Sequence, residues 1–252
     1  MLRKIPRVRR DPVANDPRVS DLYVVEYPKS GVTWLCTLLG NLAALESGSK
    51  AVVNYTNSIA WVPDIHISRN IGEPLHSWPP QRMIKSHARF QREYTFALYL
   101  ARHPVAVMKS YYRYAAAFQG AQFEDFGAFL RSEKYGVDTW RDHVRSWLGR
   151  RPSHHRILLV RYEDLLDDAA AQLMRISDVF GWNVDADHAR IAAQRSSADN
   201  MQANEGALGI GGPKFVKQAS TASVTEADLA FIHERCAEEM AMLGYDPLAS
   251  GA

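Results

Sequence analysis

One stretch near the start of the chain limits what the rest can fold into: residues 27–34, Tyr-Pro-Lys-Ser-Gly-Val-Thr-Trp. Residues 22–25 before it form an apolar run of strand length, and residues 35–45 after it repeat apolar side chains at helical spacing. The octet is therefore predicted to turn from a strand into a helix. Such a turn directs backbone N–H groups and the positive end of a helix at one point, which suits a phosphate or sulfate group.

The octet lacks the full Walker pattern, in which two glycines separated by four residues precede Lys and Ser or Thr. Gly31 is its single glycine, and Lys29 comes before that glycine instead of after it. An ordinary ATP or GTP site is thus disfavoured. A plain turn that carries a surface lysine stays open as an alternative when the octet is considered alone.

The octet resembles the 5′-phosphosulfate-binding loop of the sulfotransferases that use 3′-phosphoadenylyl sulfate (PAPS). Seven of the eight positions match, and Val32 stands where that family usually has Thr. The resemblance implies that the phosphosulfate is held by Lys29, Ser30, Gly31, Val32 and Thr33. It also makes Trp34 the tryptophan that stacks on adenine, a sensible use of an indole beside a phosphate loop. A place in the core is the alternative for this ring.

The rest of the chain alternates strand and helix patterns. Strands are predicted at 82–85, 95–101 and 156–161, and helices after 103 and at 124–131, 138–148, 169–180 and 225–243. This order predicts a three-layer α/β fold, with a mostly parallel sheet covered by helices on both faces. The resemblance adds that the fold is like that of the P-loop NTPases. Ligands of such sheets lie at the carboxyl ends of the strands.

Sulfonate transfer needs a base for the acceptor and cations for the moving charge, and Lys85-Ser86-His87 at a strand end offers both. His87 is the candidate base because its ordinary pKa lies near neutral pH. The segment resembles the family's Lys-Thr-His, whose histidine is the general base and whose lysine contacts the transferring group. Lys29 and Lys85 are therefore the candidate catalytic cations. A hydrogen-bonded structural histidine is the alternative for His87.

Two further segments match the family in order and spacing. Arg102 ends a strand and Ser110 follows it by eight residues, which resembles the pair that holds the 3′-phosphate. Tyr162 opens a Tyr-Glu-Asp stretch whose tyrosine, in the family, lies beside the nucleotide. Each segment alone would fit an ordinary structural role, either at a sheet edge or in the core. Their joint order makes the resemblance specific from about residue 22 to residue 245.

The match weakens towards the C-terminus. Ser196 corresponds to a family residue that frames the adenine, but Ala198 replaces the usual aromatic residue. The family's Arg-Lys-Gly loop is absent, and Lys214 and Lys217 are the candidate replacements for its cation. We interpret residues 209–217 as a flap over the nucleotide. The spacing from Lys217 to Glu226 resembles the family's dimer segment and suggests a homodimer.

Composition limits the function further. The 252 residues carry a net charge of only +2, which disfavours a dedicated nucleic-acid binder. No apolar stretch reaches the roughly 20 residues that span a bilayer, and no secretory signal is evident, so we expect a cytoplasmic protein. Cys36 and Cys236 have no metal-like spacing and are expected to be reduced core thiols. One domain is expected over 1–252, with 1–20 as a flexible basic arm.

The sequence thus predicts a sulfotransferase that uses PAPS, releases adenosine 3′,5′-bisphosphate (PAP) and needs no metal. Its acceptor would be a small molecule with a hydroxyl or amine, and the ring-rich segments 55–78 and 118–126 are candidate acceptor walls. One rival is a nucleotide kinase or other P-loop NTPase, for which Glu163 or Asp164 would have to hold Mg²⁺. Another is a non-catalytic nucleotide-binding protein on the same scaffold.

Overall fold

A four-stranded parallel sheet forms the centre of the protein. The computed structural model describes residues 12–149, 153–201 and 223–246. The strands are β1 (Leu22–Glu26), β2 (Met83–Ser86), β3 (Phe96–Ala101) and β4 (Arg156–Arg161), and their order across the sheet is β2-β1-β3-β4. All neighbouring strands run parallel, so each connection must cross over the sheet.

Two of the three connections between these strands contain helices, and further helices follow β4. In the described residues they are α1 (Val32–Glu46), α2 (Ser58–Trp61), α3 (Pro104–Gln119), α4 (Phe126–Leu130), α5 (Val137–Leu148), α6 (Tyr162–Asp167), α7 (Ala169–Phe180), α8 (Ala186–Arg195) and α9 (Glu226–Met242). The four strands, α1, α3 to α5, α7 and α9 correspond to predicted elements.

The two faces of the sheet bury two separate cores, because successive side chains of a strand point in opposite directions. Tyr23 and Val25 of β1 pack into the core formed with α3, α5 and α9. Leu22 and Val24 pack into the core formed with α1, α7 and α8. Each fully buried aliphatic side chain stabilises the fold by roughly 1.5–3 kcal/mol. The predicted three-layer α/β fold is confirmed.

Helix ends follow the signals in the sequence. Pro104 occupies the first turn of α3, and Gly120 ends that helix in the left-handed conformation. The Asp168 carboxylate accepts a hydrogen bond from the Ala171 N–H at 2.9 Å and so caps α7. Thr225 and Asp228 form a reciprocal capping box at the start of α9.

The connection between α1 and β2 is irregular, as predicted, but it is anchored at its end by buried charges. Arg82 donates to both carboxylate oxygens of Asp21 at 2.8 Å and to Asp16 at 2.9 Å. Arg82 and Asp21 are both almost fully buried. The guanidinium therefore ties the start of β2 to the segment that precedes β1.

Some features were not predicted or lie outside the described residues. Helices α2, α6 and α8 were not predicted from the sequence. Residues 1–11 of the expected basic arm, the expected flap at 209–217 and most of the expected dimer segment are not among the described residues. No helix in the described ranges is long and apolar enough to cross a membrane.

Candidate active site

The carboxyl ends of β1, β2 and β3 open into a cavity of about 780 Å³. The octet turns from β1 into α1 at its edge, and Lys29, Gly31, Val32, Thr33 and Trp34 all line it. So do five predicted residues from more distant parts of the chain, Lys85, His87, Arg102, Ser110 and Tyr162. The parallel sheet thus brings together groups that are up to 133 residues apart in the chain, counted from Lys29 to Tyr162.

The backbone of the octet has an unusual conformation. Lys29 has φ 78 and Gly31 has φ 111, in the region that L-residues with a side chain rarely adopt. A left-handed lysine costs roughly 1–2 kcal/mol, which the surrounding contacts must offset. Helix α1 then begins at Val32, and Gly31 before it supplies no side-chain cap. The Val32 N–H donates to the Glu26 carboxylate at 2.7 Å, and the Trp34 N–H donates to the Gly31 carbonyl at 3.0 Å.

Tyr162 packs directly against Gly31. A Cβ atom placed on Gly31 would lie 2.5 Å from Cδ2 of the Tyr162 ring, closer than real atoms approach. The guanidinium carbon of Arg102 lies 4.3 Å from the centre of the same ring, and the ring meets Trp34 edge to face at 5.5 Å. The glycine is therefore required both by its backbone angle and by the ring beside it.

Trp34 is held by a buried polar network. Its indole Nε1–H donates to the Ser196 carbonyl at 2.8 Å, and the Asn41 amide donates to the Ser196 hydroxyl at 3.0 Å. Ser196 is fully buried and does not line the cavity, whereas the neighbouring Ser197 does. Ser30 is also buried, and its hydroxyl donates to the Tyr27 carbonyl at 2.8 Å.

The cations are arranged around the loop. The Lys29 ammonium lies 4.3 Å from the centre of the Tyr114 ring, and Arg102 donates to the Lys29 carbonyl at 3.4 Å. Burial lowers the pKa of Lys29, and the nearby Glu26 carboxyl opposes that shift. Lys85 forms an ion pair with Asp64, with 3.0 Å between Nζ and Oδ2.

Glu26 is a carboxyl group of the site that was not predicted from the sequence. It ends β1, is 3% exposed and lines the cavity. Its Oε2 accepts the Val32 N–H at 2.7 Å, within the loop itself. Burial raises its pKa to about 7, although the Val32 amide and the charges of Lys85 and Lys29 pull in the opposite direction. An acidic residue directly after an apolar strand and before the loop was the signal that could have identified it.

His87 follows β2 and faces the same carboxyl group. Its Nδ1 lies 3.6 Å from Oε1 of Glu26 and, among the described residues, has no hydrogen-bond partner. The backbone N–H of His87 donates to Nε2 of His66 at 2.8 Å, which fixes the start of the segment. Burial, and then the charge of Lys85, hold the pKa of His87 well below its ordinary value, so the ring is neutral at neutral pH.

The family model described as the sulfotransferase domain matches residues 19–212, which include every described residue of this site. The chain belongs to the PAPS-dependent sulfotransferase family. Human sulfotransferase 1C2 is 25% identical over 205 residues, 75% of this chain and 68% of that protein. Mouse sulfotransferase 1B1 is 28% identical over 204 residues, 73% of this chain and 66% of that protein. The chain thus spans about two thirds of the length of these relatives.

Solved structures agree on the fold. The structure of mouse sulfotransferase SULT7A1 complexed with PAP matches with a TM-score of 0.60 at 19% sequence identity. The match covers 89% of this chain and 85% of the mouse chain. A putative steroid sulphotransferase from Arabidopsis thaliana has a TM-score of 0.62 at 19% identity, with 92% and 80% covered. The predictions of the family, of a sulfotransferase as the enzyme class, of PAPS as its co-substrate and of a P-loop-like fold are confirmed.

Two parts of the sulfotransferase site differ from the sequence-based interpretation. The expected acceptor wall in the connection before β2 does not line the cavity: Trp61 stacks on His76, and Trp78 packs against Trp182. The second expected wall is directed largely into the core, where Phe123 and Phe126 pack with Phe129. Gln119, which belongs to this second segment, does line the cavity, together with Tyr111 and Tyr114 of α3.

The two cysteines and the two C-terminal candidate lysines complete the set of predicted groups. Cys36 and Cys236 are free and buried, as expected of core thiols. The candidate cations Lys214 and Lys217 lie outside the described residues.

The two acidic residues that a rival NTPase would need for Mg²⁺ are engaged elsewhere. Glu163 accepts hydrogen bonds from the His103 N–H at 3.1 Å and the Tyr245 hydroxyl at 2.7 Å. Asp164 forms an ion pair with Arg161 at 2.6 Å. Neither residue lines the cavity, so this structure gives the NTPase alternative no support.

Proposed function

We propose that this sulfotransferase moves the sulfonate group of PAPS to a hydroxyl or amine of a small molecule, with His87 as the general base. One observation carries the proposal: the octet, the candidate base and the candidate cations surround a single cavity. PAPS supplies an activated sulfonate on a phosphate leaving group. The acceptor proton goes to His87 while the acceptor atom bonds to sulfur and the sulfur–phosphate oxygen bond breaks.

The residues present fit such a co-substrate. The positive end of α1 and the left-handed backbone at Lys29 and Gly31 suit an anionic phosphosulfate. Arg102 and Ser110 would hold the 3′-phosphate of PAPS. Trp34 and Tyr162 offer aromatic surface against which its adenine ring could stack. Lys214 and Lys217 remain proposed additional contacts. Positioning and neutralisation of charge supply most of the rate enhancement in this kind of transfer.

Within this mechanism the two lysines differ. Lys85 lies near the end of β2 and is ion-paired with Asp64, whereas Lys29 belongs to the loop itself and lies over the Tyr114 ring and near the Glu26 carboxyl group. We therefore assign Lys29 the larger part in stabilising the leaving phosphate, and Lys85 a part in holding the transferring group. Substituting Lys29 by Met should lower kcat more than the same change at Lys85.

Preference for PAP over ATP tests the co-substrate. Isothermal titration calorimetry should detect tighter binding of PAP, because the loop lacks the Walker lysine position and Arg102 lies near the proposed 3′-phosphate. Equal affinity for ATP, or no affinity for PAP, would overturn the assignment. The non-catalytic alternative predicts PAP binding without turnover of any acceptor.

Substitution of His87 tests the base. His87→Ala should reduce turnover by about 10²–10⁴-fold, the usual contribution of general base catalysis, and leave PAP affinity nearly unchanged. His188→Ala is a suitable control, because that histidine pairs with Glu46 away from the cavity. Full turnover in His87→Ala would remove the ring from the mechanism, and loss of PAP binding would make its role structural.

The acceptor is a small molecule of a class that a screen must define. Tyr111, Tyr114 and Gln119 offer both rings and an amide, which suit phenols, sterols, sugars or amines. Release of PAP from PAPS reports turnover for every acceptor alike. We further propose a single domain over 1–252, a cytoplasmic location, no nucleic-acid partner, and a homodimer through the Lys217–Glu226 region.

A further inference from the structure

Glu26 contacts both functional parts of the site. One carboxylate oxygen accepts the Val32 N–H in the phosphate-binding loop at 2.7 Å. The other lies 3.6 Å from Nδ1 of His87, a buried atom without a hydrogen-bond partner in the described part of the chain. The distance is longer than a hydrogen bond, but catalytic contacts often shorten when a ligand binds.

The burial of His87 decides which nitrogen can meet an acceptor. The side chain is 25% exposed, while Nδ1 is buried against Glu26. Nε2 is therefore the nitrogen available to the cavity. It can accept a proton only when the neutral ring carries its hydrogen on Nδ1. A hydrogen-bond acceptor beside Nδ1 is what selects that tautomer.

The other groups around Glu26 allow its carboxylate to act as the hydrogen-bond acceptor for Nδ1–H of His87. Lys29 from the loop and Lys85 from β2 are cations whose charges favour the ionised carboxyl. Tyr99 from β3 and Cys36 from α1 also face it, but burial raises the pKa of both, and they remain neutral. The backbone N–H of Lys29 also donates towards this carboxyl group, and His87 is a further polar group beside it, with a ring that is neutral at neutral pH.

We propose that Glu26 is a positioning residue for the transfer reaction, whose carboxylate holds the Nδ1–H of His87 and leaves Nε2 free to take the acceptor proton. This inference rests on the proposed function. The acceptor proton moves to Nε2, the ring becomes a cation, and its Nδ1–H stays with the Glu26 carboxylate. Without that negative charge, the buried ring would hold the second proton poorly.

Glu26→Gln tests this arrangement with almost no change in shape. The Gln oxygen must face the Val32 N–H, since two donors cannot face each other. Its NH₂ group then points at Nδ1 of His87 and donates to it, which forces the hydrogen onto Nε2. The comparable carboxylate-to-amide change in a Ser-His-Asp triad lowers kcat by about 10⁴ through the wrong tautomer.

The tautomer can be read without any acceptor, by ¹⁵N NMR of the His87 ring. At about pH 8.5, where Glu26 is ionised, the wild type should carry the hydrogen on Nδ1 and Glu26→Gln should carry it on Nε2. Glu163→Gln is the matched control, because Glu163 also accepts a backbone N–H but does not line the cavity. The same tautomer in the wild type and Glu26→Gln would overturn the inference.

Turnover provides the second measurement. In Glu26→Gln, kcat should fall by about 10²–10⁴-fold while PAP binds no more weakly than to the wild type, because a negative charge near the anion is removed. Glu26→Asp keeps the charge and should retain more activity than Glu26→Gln.

The pH profile separates positioning from a structural role. The wild-type kcat should rise as Glu26 ionises, near its pKa of about 7, and this rise should be absent in Glu26→Gln. An unchanged profile or unchanged kcat in Glu26→Gln would overturn the inference. A wild type that turns over no acceptor would instead refute the proposed function, and the tautomer measurement would still decide the role of Glu26.

Discussion

Replacing Gly31 by Ala tests the contact on which the loop conformation depends. The new methyl group would lie 2.5 Å from Cδ2 and 2.7 Å from Cε2 of Tyr162. The unusual φ of 111 adds roughly 1–3 kcal/mol of backbone strain for a residue with a side chain. Displacing the ring also weakens its contacts with Arg102, by about 0.5–2 kcal/mol, and with Trp34, by about 0.5–1.5 kcal/mol.

The sum is about 2–6 kcal/mol, divided between protein stability and PAP binding. If only 2 kcal/mol appears in binding, PAP affinity falls by about 30-fold. Calorimetric titration with PAP and urea unfolding of Gly31→Ala measure the two parts. Gly48→Ala is the matched control, because Gly48 also has a positive φ, of 68, but its added methyl group meets nothing within 4 Å.

Gly48→Ala should therefore lose about 1–2 kcal/mol of stability and no PAP affinity. The double variant Gly31→Ala with Tyr162→Ala should show a coupling between the two sites, since the second change removes the ring that the methyl group strikes. The reasoning is refuted if Gly31→Ala binds PAP like the wild type and is no less stable than Gly48→Ala.

Three further predictions concern stability, each measured by urea unfolding. Trp34→Phe removes the indole donor from the buried Ser196 carbonyl and should cost about 1–3 kcal/mol; an unchanged midpoint would contradict this. Asp21→Leu leaves the buried Arg82 poorly paired and should cost about 3–5 kcal/mol, in contrast to a surface substitution. Because the folded state raises the Glu26 pKa from 4.5 to about 7, it binds the proton more tightly than the unfolded state, and wild-type stability should fall by about 3 kcal/mol as pH rises through that window. Glu26→Gln should lack this loss, and parallel pH curves for the two proteins would disprove it.

Much of the fold follows from local patterns in the sequence. The apolar runs predicted all four strands of the described sheet, and the loop octet predicted where β1 would turn into α1. The helix α8 was missed although Asp185 caps it, because its few buried positions leave a weak apolar pattern. The helix α6 was missed because Tyr-Glu-Asp was interpreted as a segment beside the nucleotide, without a helix assigned to it.

The site was predictable where parallel strands end, since those ends must meet at one edge of the sheet. Lys85, His87 and Arg102 met around the cavity for this reason. The carboxyl groups beside them were not predicted. Whether Glu26 turns into the cavity depends on the loop that follows it, and Asp64 reaches Lys85 from a connection without regular periodicity. Such contacts depend on tertiary packing, which no spacing rule describes.

The hydrogen bonds of Glu163 affect the order in which parts of the site can form while the chain is being synthesised. Its carboxylate joins the Tyr245 hydroxyl to the His103 N–H, directly after Arg102. Ribosomes release a chain from its N-terminus onward, so the sheet can assemble before residue 245 has emerged. The hydrogen-bonded group beside Arg102, formed by the His103 N–H, the Glu163 carboxylate and the Tyr245 hydroxyl, is complete only after residue 245 has been synthesised. A nascent chain can thus form its phosphate-binding loop and still lack the Tyr245 contact beside Arg102 until residue 245 has left the ribosome.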